Sequence, residues 1–320
     1  MSLSPALNSE LPWLLEAQSR LSAAFDSDRL SHALLVQVAP GQGGEWLAYW
    51  LAARIFCTAN TRPCGECLAC RRVVEDEQPD FFVLRPTEDS KEIRVDQVRE
   101  LVAELSLTAH GGRRKVAIIS PADKLNRAAA NALLKTLEEP TAGSLILLVS
   151  GEASRLPATV QSRCARVTIK SPARAELVDW LKRERDSRSD WLRVLEVIGD
   201  RPLAALELDA SAVLALAEET RRALETANRG GLDAIETAEI WGKEAYSWRI
   251  ACIEQWLLEA LRECVLQGPS PRGVLLCELL DDVREARQWA DSPINKTLVL
   301  ERLLWRITAQ SAAASNRRRA

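Results

Sequence analysis

Four cysteines, Cys57, Cys64, Cys67 and Cys70, fall within fourteen residues, the last three at two-residue spacings. Thiolates are soft ligands that select zinc, and short loops can fold all four back on one ion. Four of them leave no coordination position for water, so the chemistry on offer is structural zinc, with an iron–sulfur cluster or incidental reduced cysteines as the alternatives. Arg62, Arg71 and Arg72 lie close by to offset the centre's charge. A second group is the turn Val38-Ala39-Pro40-Gly41-Gln42-Gly43-Gly44-Glu45, set between an apolar stretch at 32–39 and an apolar-periodic stretch at 46–56. That is the strand, loop and helix context of the phosphate loop G-x-x-x-x-G-K-[ST]. Gly44 and Glu45, however, stand where the motif has the lysine that reaches the phosphates and the hydroxyl that holds magnesium. A carboxylate there repels phosphate and cannot supply the lysine's charge. The turn reads either as a tight connector needing glycine's freedom or as a lapsed nucleotide site, and the pattern alone leaves both open. The third group is Ser162-Arg163-Cys164, flanked by Arg155 and Arg166. Arg163 makes either an ordinary ion pair or a reach toward a neighbouring chain's γ-phosphate, a task suited to a rigid, delocalised guanidinium. Cys164 reads as a small buried residue rather than a nucleophile, because the chain's two histidines, His32 and His110, are both remote from it in sequence.

The elements that must position these groups are legible from hydrophobic pattern. Apolar runs at 32–39, 81–84, 115–120, 145–149 and 167–169 alternate with helical periods at 46–56, 95–107 and 126–139. Short apolar strands alternating with helices imply a parallel sheet covered on both faces, so 1–170 is expected to form a three-layer α/β domain. The cysteine module, about 57–75, is an insertion after the first sheet-covering helix. An amphipathic helix in the first thirty residues is expected to cover the first strand. Asn126 should cap the helix that Pro140 ends. After the strand at 115–120, Asp123 stands alone where magnesium chemistry would want an acidic pair, so intrinsic ATP hydrolysis is not expected. A basic turn is read at 111–114. Beyond Pro172 only helical periods remain: a small helical domain at 171–209 and a larger one at 210–312, whose 232–265 segment is long enough to contain a break. An Ala/Ser/Arg tail at 313–320 is expected to be disordered.

Composition limits the alternatives. At 320 residues, 47% hydrophobic and 27% charged, the chain has room for two or three domains. A net charge of -3 gives no global pull toward nucleic acid. No run of eighteen uncharged apolar residues occurs and residues 1–10 are polar, so neither a membrane span nor a signal peptide is expected, and a cytoplasmic location is. With reduced thiols expected there, the cysteine cluster points to metal rather than to disulfides.

Taken together, Ser31-His32-Ala33-Leu34-Leu35, the four-cysteine insertion, Pro79-Asp80, the run from Asn126 through Leu133-Leu134-Lys135-Thr136-Leu137-Glu138-Glu139-Pro140, and Leu156-Pro157-Ala158-Thr159-Val160-Gln161-Ser162-Arg163-Cys164 resemble the AAA+ clamp-loader family. Within it they resemble the delta-prime subunits of bacterial DNA polymerase III. The resemblance implies an AAA+ (RecA-like) parallel-sheet domain with a zinc module, a small helical lid and a C-terminal helical collar. It implies a heteropentamer with motor subunits and a delta subunit, acting on a sliding clamp and primer-template DNA. It gives Arg163 the role of an arginine finger serving the adjacent motor subunit's ATP, and makes Gly41, Gly43, Gly44 and Glu45 a degenerate phosphate loop that binds no nucleotide. Any polymerase activity would then belong to the holoenzyme. The alternative is an ATP-independent structural or nucleic-acid-binding zinc protein of the replication machinery.

Overall fold

The computed structural model of the protein describes residues 6, 7, 9–87, 89–110, 114–266, 268, 270–292 and 294–317, with side chains described throughout except at 291 and 310–317. The chain divides into two compact units, Met1–Ala173 and Arg174–Ala320.

In the first unit α1 (Leu15–Asp26) precedes β1 (Ala33–Gln37), α2 (Gly44–Phe56), α3 (Leu68–Val74), β2 (Phe81–Leu84), α4 (Val95–Ser106), β3 (Lys115–Ile119), α5 (Arg127–Glu138), β4 (Ser144–Ser150), α6 (Ala158–Gln161) and β5 (Ala165–Thr168). The five strands form one parallel sheet in the order β2-β3-β4-β1-β5, with Leu35 of β1 paired to Leu148 of β4 on one side and to Arg166 of β5 on the other. Both faces are covered, which is why β3 and β4 are buried at every position. Ala33, Leu35, Ala117, Ile119, Ile146 and Leu148 pack with Val98, Leu101 and Leu105 of α4 and Ala129, Leu133 and Leu137 of α5. The alternate residues, including Leu34, Val36, Val116, Ile118 and Leu147, are buried on the face that α2 covers. The helix α2 is apolar nearly all round and almost wholly buried, as a helix enclosed by other elements must be. The edge strand β5 is largely exposed and carries Arg166 and Thr168, polar side chains of the kind that protect an open sheet edge. As the sequence implies, Asn126 Oδ1 accepts the backbone N–H of Ala129, 2.8 Å away, and starts α5. The first helix differs from expectation: α1 packs on α2, and the indole Nε1 of Trp13, just ahead of it, donates to Gln42 O at 2.8 Å.

The second unit is all helix: α7 (Arg174–Glu184), α8 (Trp191–Ile198), α9 (Pro202–Glu207), α10 (Ala210–Ala227), α11 (Ala234–Lys243), α12 (Tyr246–Leu266), α13 (Pro271–Gln288) and α14 (Lys296–Arg317). Aspartates at 190, 209 and 233 cap α8, α10 and α11 through their side chains. The long helical period at 232–265 breaks at Ala245, which takes a φ of 53° between α11 and α12. Trp241 lies in the core of this unit under the guanidinium of the buried Arg249, 4.7 Å from the ring centroid. Both helical pieces expected beyond Pro172 lie in this one unit, and α8 packs on α10 and α12. The backbone of α14 continues as helix to Arg317, into the segment expected as a disordered tail, while 318–320 lie outside the described residues. Of the basic turn read at 111–114, only Arg114 is among the described residues.

Candidate functional site

The glycine turn connects β1 to α2 as a phosphate loop would. Gly41 and Gly43 have φ of 77° and 94°, the left-handed region that a side chain resists. Counting back from Gly43, the motif's first glycine place holds Val38. A Cβ built on Gly44 would sit 2.4 Å from Val38 Cγ1 and 2.9 Å from Val149 Cγ1, so the lysine place is filled from behind by the chain's own valines. Position 44 therefore lacks both the charge and the room for it.

Glu45, in the hydroxyl place, is held rather than free. Its Oε1 accepts from Arg85 Nη2 at 2.5 Å and Nε at 3.2 Å, and its Oε2 accepts from Ser120 Oγ at 2.9 Å. Arg85 follows β2 and Ser120 follows β3, so three neighbouring elements converge at the C-terminal edge of the sheet, where open α/β sheets bind ligands. Arg85 also donates to Tyr49 Oη at 2.6 Å and to Asp76 Oδ2 at 3.2 Å. Burial and the Asp76 acceptor push the Tyr49 hydroxyl well above its ordinary pKa, leaving it a neutral donor. Burial opposes the Arg85 charge, but the hydrogen bonds and charge of Glu45 outweigh it and hold the guanidinium protonated. Asp123, the lone carboxylate after β3, accepts from Ser150 Oγ at 3.0 Å. No sequence motif marks Arg85 as Glu45's partner; the available signal is a charged residue directly after an apolar strand.

The four clustered cysteines do converge. Their Sγ atoms all lie within 4.8 Å of one another. The Sγ separations of 3.7, 3.9 and 4.0 Å for the pairs 57–64, 57–67 and 64–70 match the edge of about 3.8 Å expected of a tetrahedron with Zn–S bonds of about 2.3 Å. Cys57 closes the end of α2 and Cys67 caps α3, accepting the N–H of Cys70. The backbone N–H groups of Cys67 and then Glu66 lower the Cys64 thiol to about 6, whereas burial pushes Cys70 up. The donor set fits a closed, structural zinc site with no place for a substrate.

Arg163 sits between α6 and β5 with its side chain 34% exposed. Its Nε and Nη2 donate to Glu138 Oε1 at the end of α5, at 2.8 and 2.5 Å, and its Nη1 donates to Thr159 O at 2.8 Å. Arg155 pairs with Glu152 at 2.6 Å, and Arg166 donates to Gln161 Oε1 at 3.2 Å. These hydrogen bonds hold Arg163 to α5 and α6 and not to the glycine turn. Cys164 is buried, and burial pushes its thiol up to about 11, which removes it as a nucleophile. The histidines bond elsewhere, His32 Nε2 to Leu137 O at 3.0 Å and His110 Nδ1 to Asp80 Oδ1 at 3.3 Å.

The sheet order and the β1–α2 turn define an AAA+ type of α/β unit, with Gly44 and Glu45 where a phosphate loop has its lysine and hydroxyl, and it carries a four-cysteine module. Residues 15–173 match the family described as DNA polymerase III, delta subunit. The chain is 33% identical to DNA polymerase III subunit delta' of Pseudomonas aeruginosa over 298 residues, 92% of this chain and 88% of that protein. It is 38% identical to the Escherichia coli subunit delta' over 200 residues, 62% of this chain and 60% of that one. The chain belongs to the family of DNA polymerase III delta' subunits. A gamma-subunit-related DNA polymerase III protein of Thermotoga maritima shares the fold, with a TM-score of 0.50 at 19% identity over 93% of this chain and 99% of that one. Among the described residues no helix is long and apolar enough to cross a membrane.

Proposed function

We propose that this chain is a non-hydrolysing subunit of a bacterial sliding-clamp loader, acting as a ring scaffold and lending Arg163 to the ATP of an adjacent motor subunit. The observation that carries the reading is membership of the delta' family by a chain whose phosphate loop holds Val38, Gly44 and a paired Glu45 in place of its working residues. The loop binds no nucleotide, and the zinc module is structural. In the isolated chain Arg163 rests on Glu138. In the assembly it exchanges that carboxylate for a neighbour's γ-phosphate, where a guanidinium stabilises the charge of the transferring group. Similarity to the tau/gamma subunit of Haemophilus influenzae, 33% over 153 residues, supports a motor neighbour built on the same domain. The second unit supplies a lid at 171–209 and an oligomerising collar at 210–312, joining motor and delta subunits in a heteropentamer. The working location is the cytoplasm, and the sliding clamp and primer-template DNA are substrates of the whole complex.

The test combines calorimetric titration of Mg-ATP into the isolated chain with size-exclusion chromatography of the chain mixed with motor and delta subunits. The expected result is no ATP binding and co-elution as one complex. Tight Mg-ATP binding, or failure to co-elute, overturns the reading.

A further inference from the structure

The four clustered thiols are not held in the same way. Cys64, Cys67 and Cys70 are tied to one another locally, the backbone N–H of Cys67 donating to Cys64 Sγ at 3.3 Å and that of Cys70 to Cys67 Sγ at 3.5 Å. Cys57 instead ends α2 and reaches the others across residues 58–63, which lie in no helix or strand. Among the described residues, 58–63 make no hydrogen bond between backbone groups. This is the longest connection between successive ligands, so closing it costs the most chain entropy. Yet the sulfurs of Cys57 and Cys64 stand 3.7 Å apart. What spans the gap is Arg54, one turn before Cys57 on α2. Its Nη1 donates to Arg62 O at 2.6 Å, two residues before Cys64, and Arg62 Nε in turn donates to Ala59 O at 2.9 Å. Its Nη2 is held from the other side by Asp26 of α1, at 2.7 Å to Oδ2 and 3.0 Å to Oδ1. The Arg54 side chain is 15% exposed and its Nε is buried without a hydrogen bond, so the two terminal nitrogens make the whole connection.

We infer that Arg54 is the positioning residue of the four-cysteine centre: it splints α2 to the end of the first cysteine loop and sets the separation of Cys57 and Cys64 before metal arrives. A loop closed in advance leaves more of the binding free energy to appear as metal affinity. The task needs a two-sided guanidinium fork, one nitrogen on the Arg62 carbonyl and one on the Asp26 carboxylate. A lysine carries the same charge but offers a single point. The inference rests on zinc as the occupant of the four thiolates and is independent of the clamp-loader role.

The test titrates zinc into the reduced full chain in competition with a chromophoric chelator, for wild type, Arg54→Lys and Asp26→Ala, with thermal melts of the zinc-loaded and metal-free chains. Arg54→Lys should weaken zinc binding by about tenfold to a hundredfold, the range for residues that orient metal ligands. Asp26→Ala, which leaves the bond to Arg62 in place, should weaken it measurably but less. The melting deficit of Arg54→Lys should be larger in the zinc-loaded chain than in the metal-free one, because what is lost is metal binding. Wild-type zinc affinity in Arg54→Lys overturns the inference, since charge alone would then suffice. A melting deficit no larger with zinc than without it also overturns the inference, since it marks a role in the fold alone. Should Arg54→Lys fail to fold, Asp26→Ala, which alters a side chain 59% exposed, decides by the same two readings. A wild-type chain that binds no zinc overturns the zinc reading itself, whereas wild type and variants binding alike overturn only the role of Arg54.

Discussion

Removing metal from the four-cysteine module should loosen one defined part of the first unit and leave its sheet intact. None of Cys57, Cys64, Cys67 and Cys70 belongs to the residue cluster that packs β1, β3 and β4 against α4 and α5. What they hold is the end of α2, the whole of α3 and the approach to Asp76, two residues past α3, which grips Arg85. With sulfur spacings already close to a zinc tetrahedron, little rearrangement accompanies binding, so the binding free energy is expressed as stability of this region. At free zinc of about 1,000 times its dissociation constant, stabilisation is about 4 kcal/mol. For a unit of this size that is a rise in melting temperature of about 8–16 °C. The assay is metal content by mass spectrometry, followed by thermal melts and hydrogen exchange with and without a strong chelator. The expected outcome is one zinc per chain, a lowered melting temperature on chelation, and lost protection at 57–78 with protection of β3 and β4 retained. Because thiolates must be deprotonated to bind, zinc should also be released as pH falls. A metal-free preparation with full protection at 57–78, or a melt indifferent to chelation, would refute the reasoning.

Three further outcomes are expected. Leu133→Ala removes a fully buried side chain of α5 from the sheet core and should cost about 2–5 kcal/mol in urea unfolding. The double replacement Gly44→Lys with Glu45→Thr should give no ATPase in a coupled phosphate-release assay, since Val38 and Val149 crowd position 44 and Asp123 is the single carboxylate after β3. Burial of the Cys164 thiol, pushed up to about 11, keeps it protonated until the pH passes that value. A thiol reagent at pH 8 should therefore label exposed Cys277 of the folded chain and spare Cys164, as read by peptide mass spectrometry.

Much of this architecture is legible in the sequence because it is written in short-range signals. Four of the five strands are apolar runs, whereas β5 carries Arg166 and Thr168; Asn126 announces its helix, and the cysteine spacing announces a donor set fit for a metal. The strand order is less accessible: β1 lies between β4 and β5, so the pairing is set by crossovers and not by succession along the chain. The break at Ala245 has neither glycine nor proline at the positive-φ position itself, Gly242 lying within the last turn of α11. The site is only half legible, since sequence shows what Gly44 and Glu45 lack but not what replaces it. The pairs Glu45–Arg85 and Arg163–Glu138 join residues 40 and 25 positions apart, and the fold alone brings them together. The partnership with Glu138 also gives the ion-pair reading of Arg163 a concrete form in the isolated chain, as the resting state from which a finger would extend.

The most direct test of the central claim is steady-state ATP turnover by the reconstituted complex, with clamp and primed DNA present, comparing wild type with Arg163→Ala. The pair with Glu138 is partly exposed and contributes about 0–1 kcal/mol, so the variant chain should melt nearly as wild type and still assemble. Turnover at the one adjacent ATP site should fall by about 10³-fold or more, diluted in the bulk rate by the remaining sites. Unchanged turnover by a fully assembled Arg163→Ala complex would contradict the account.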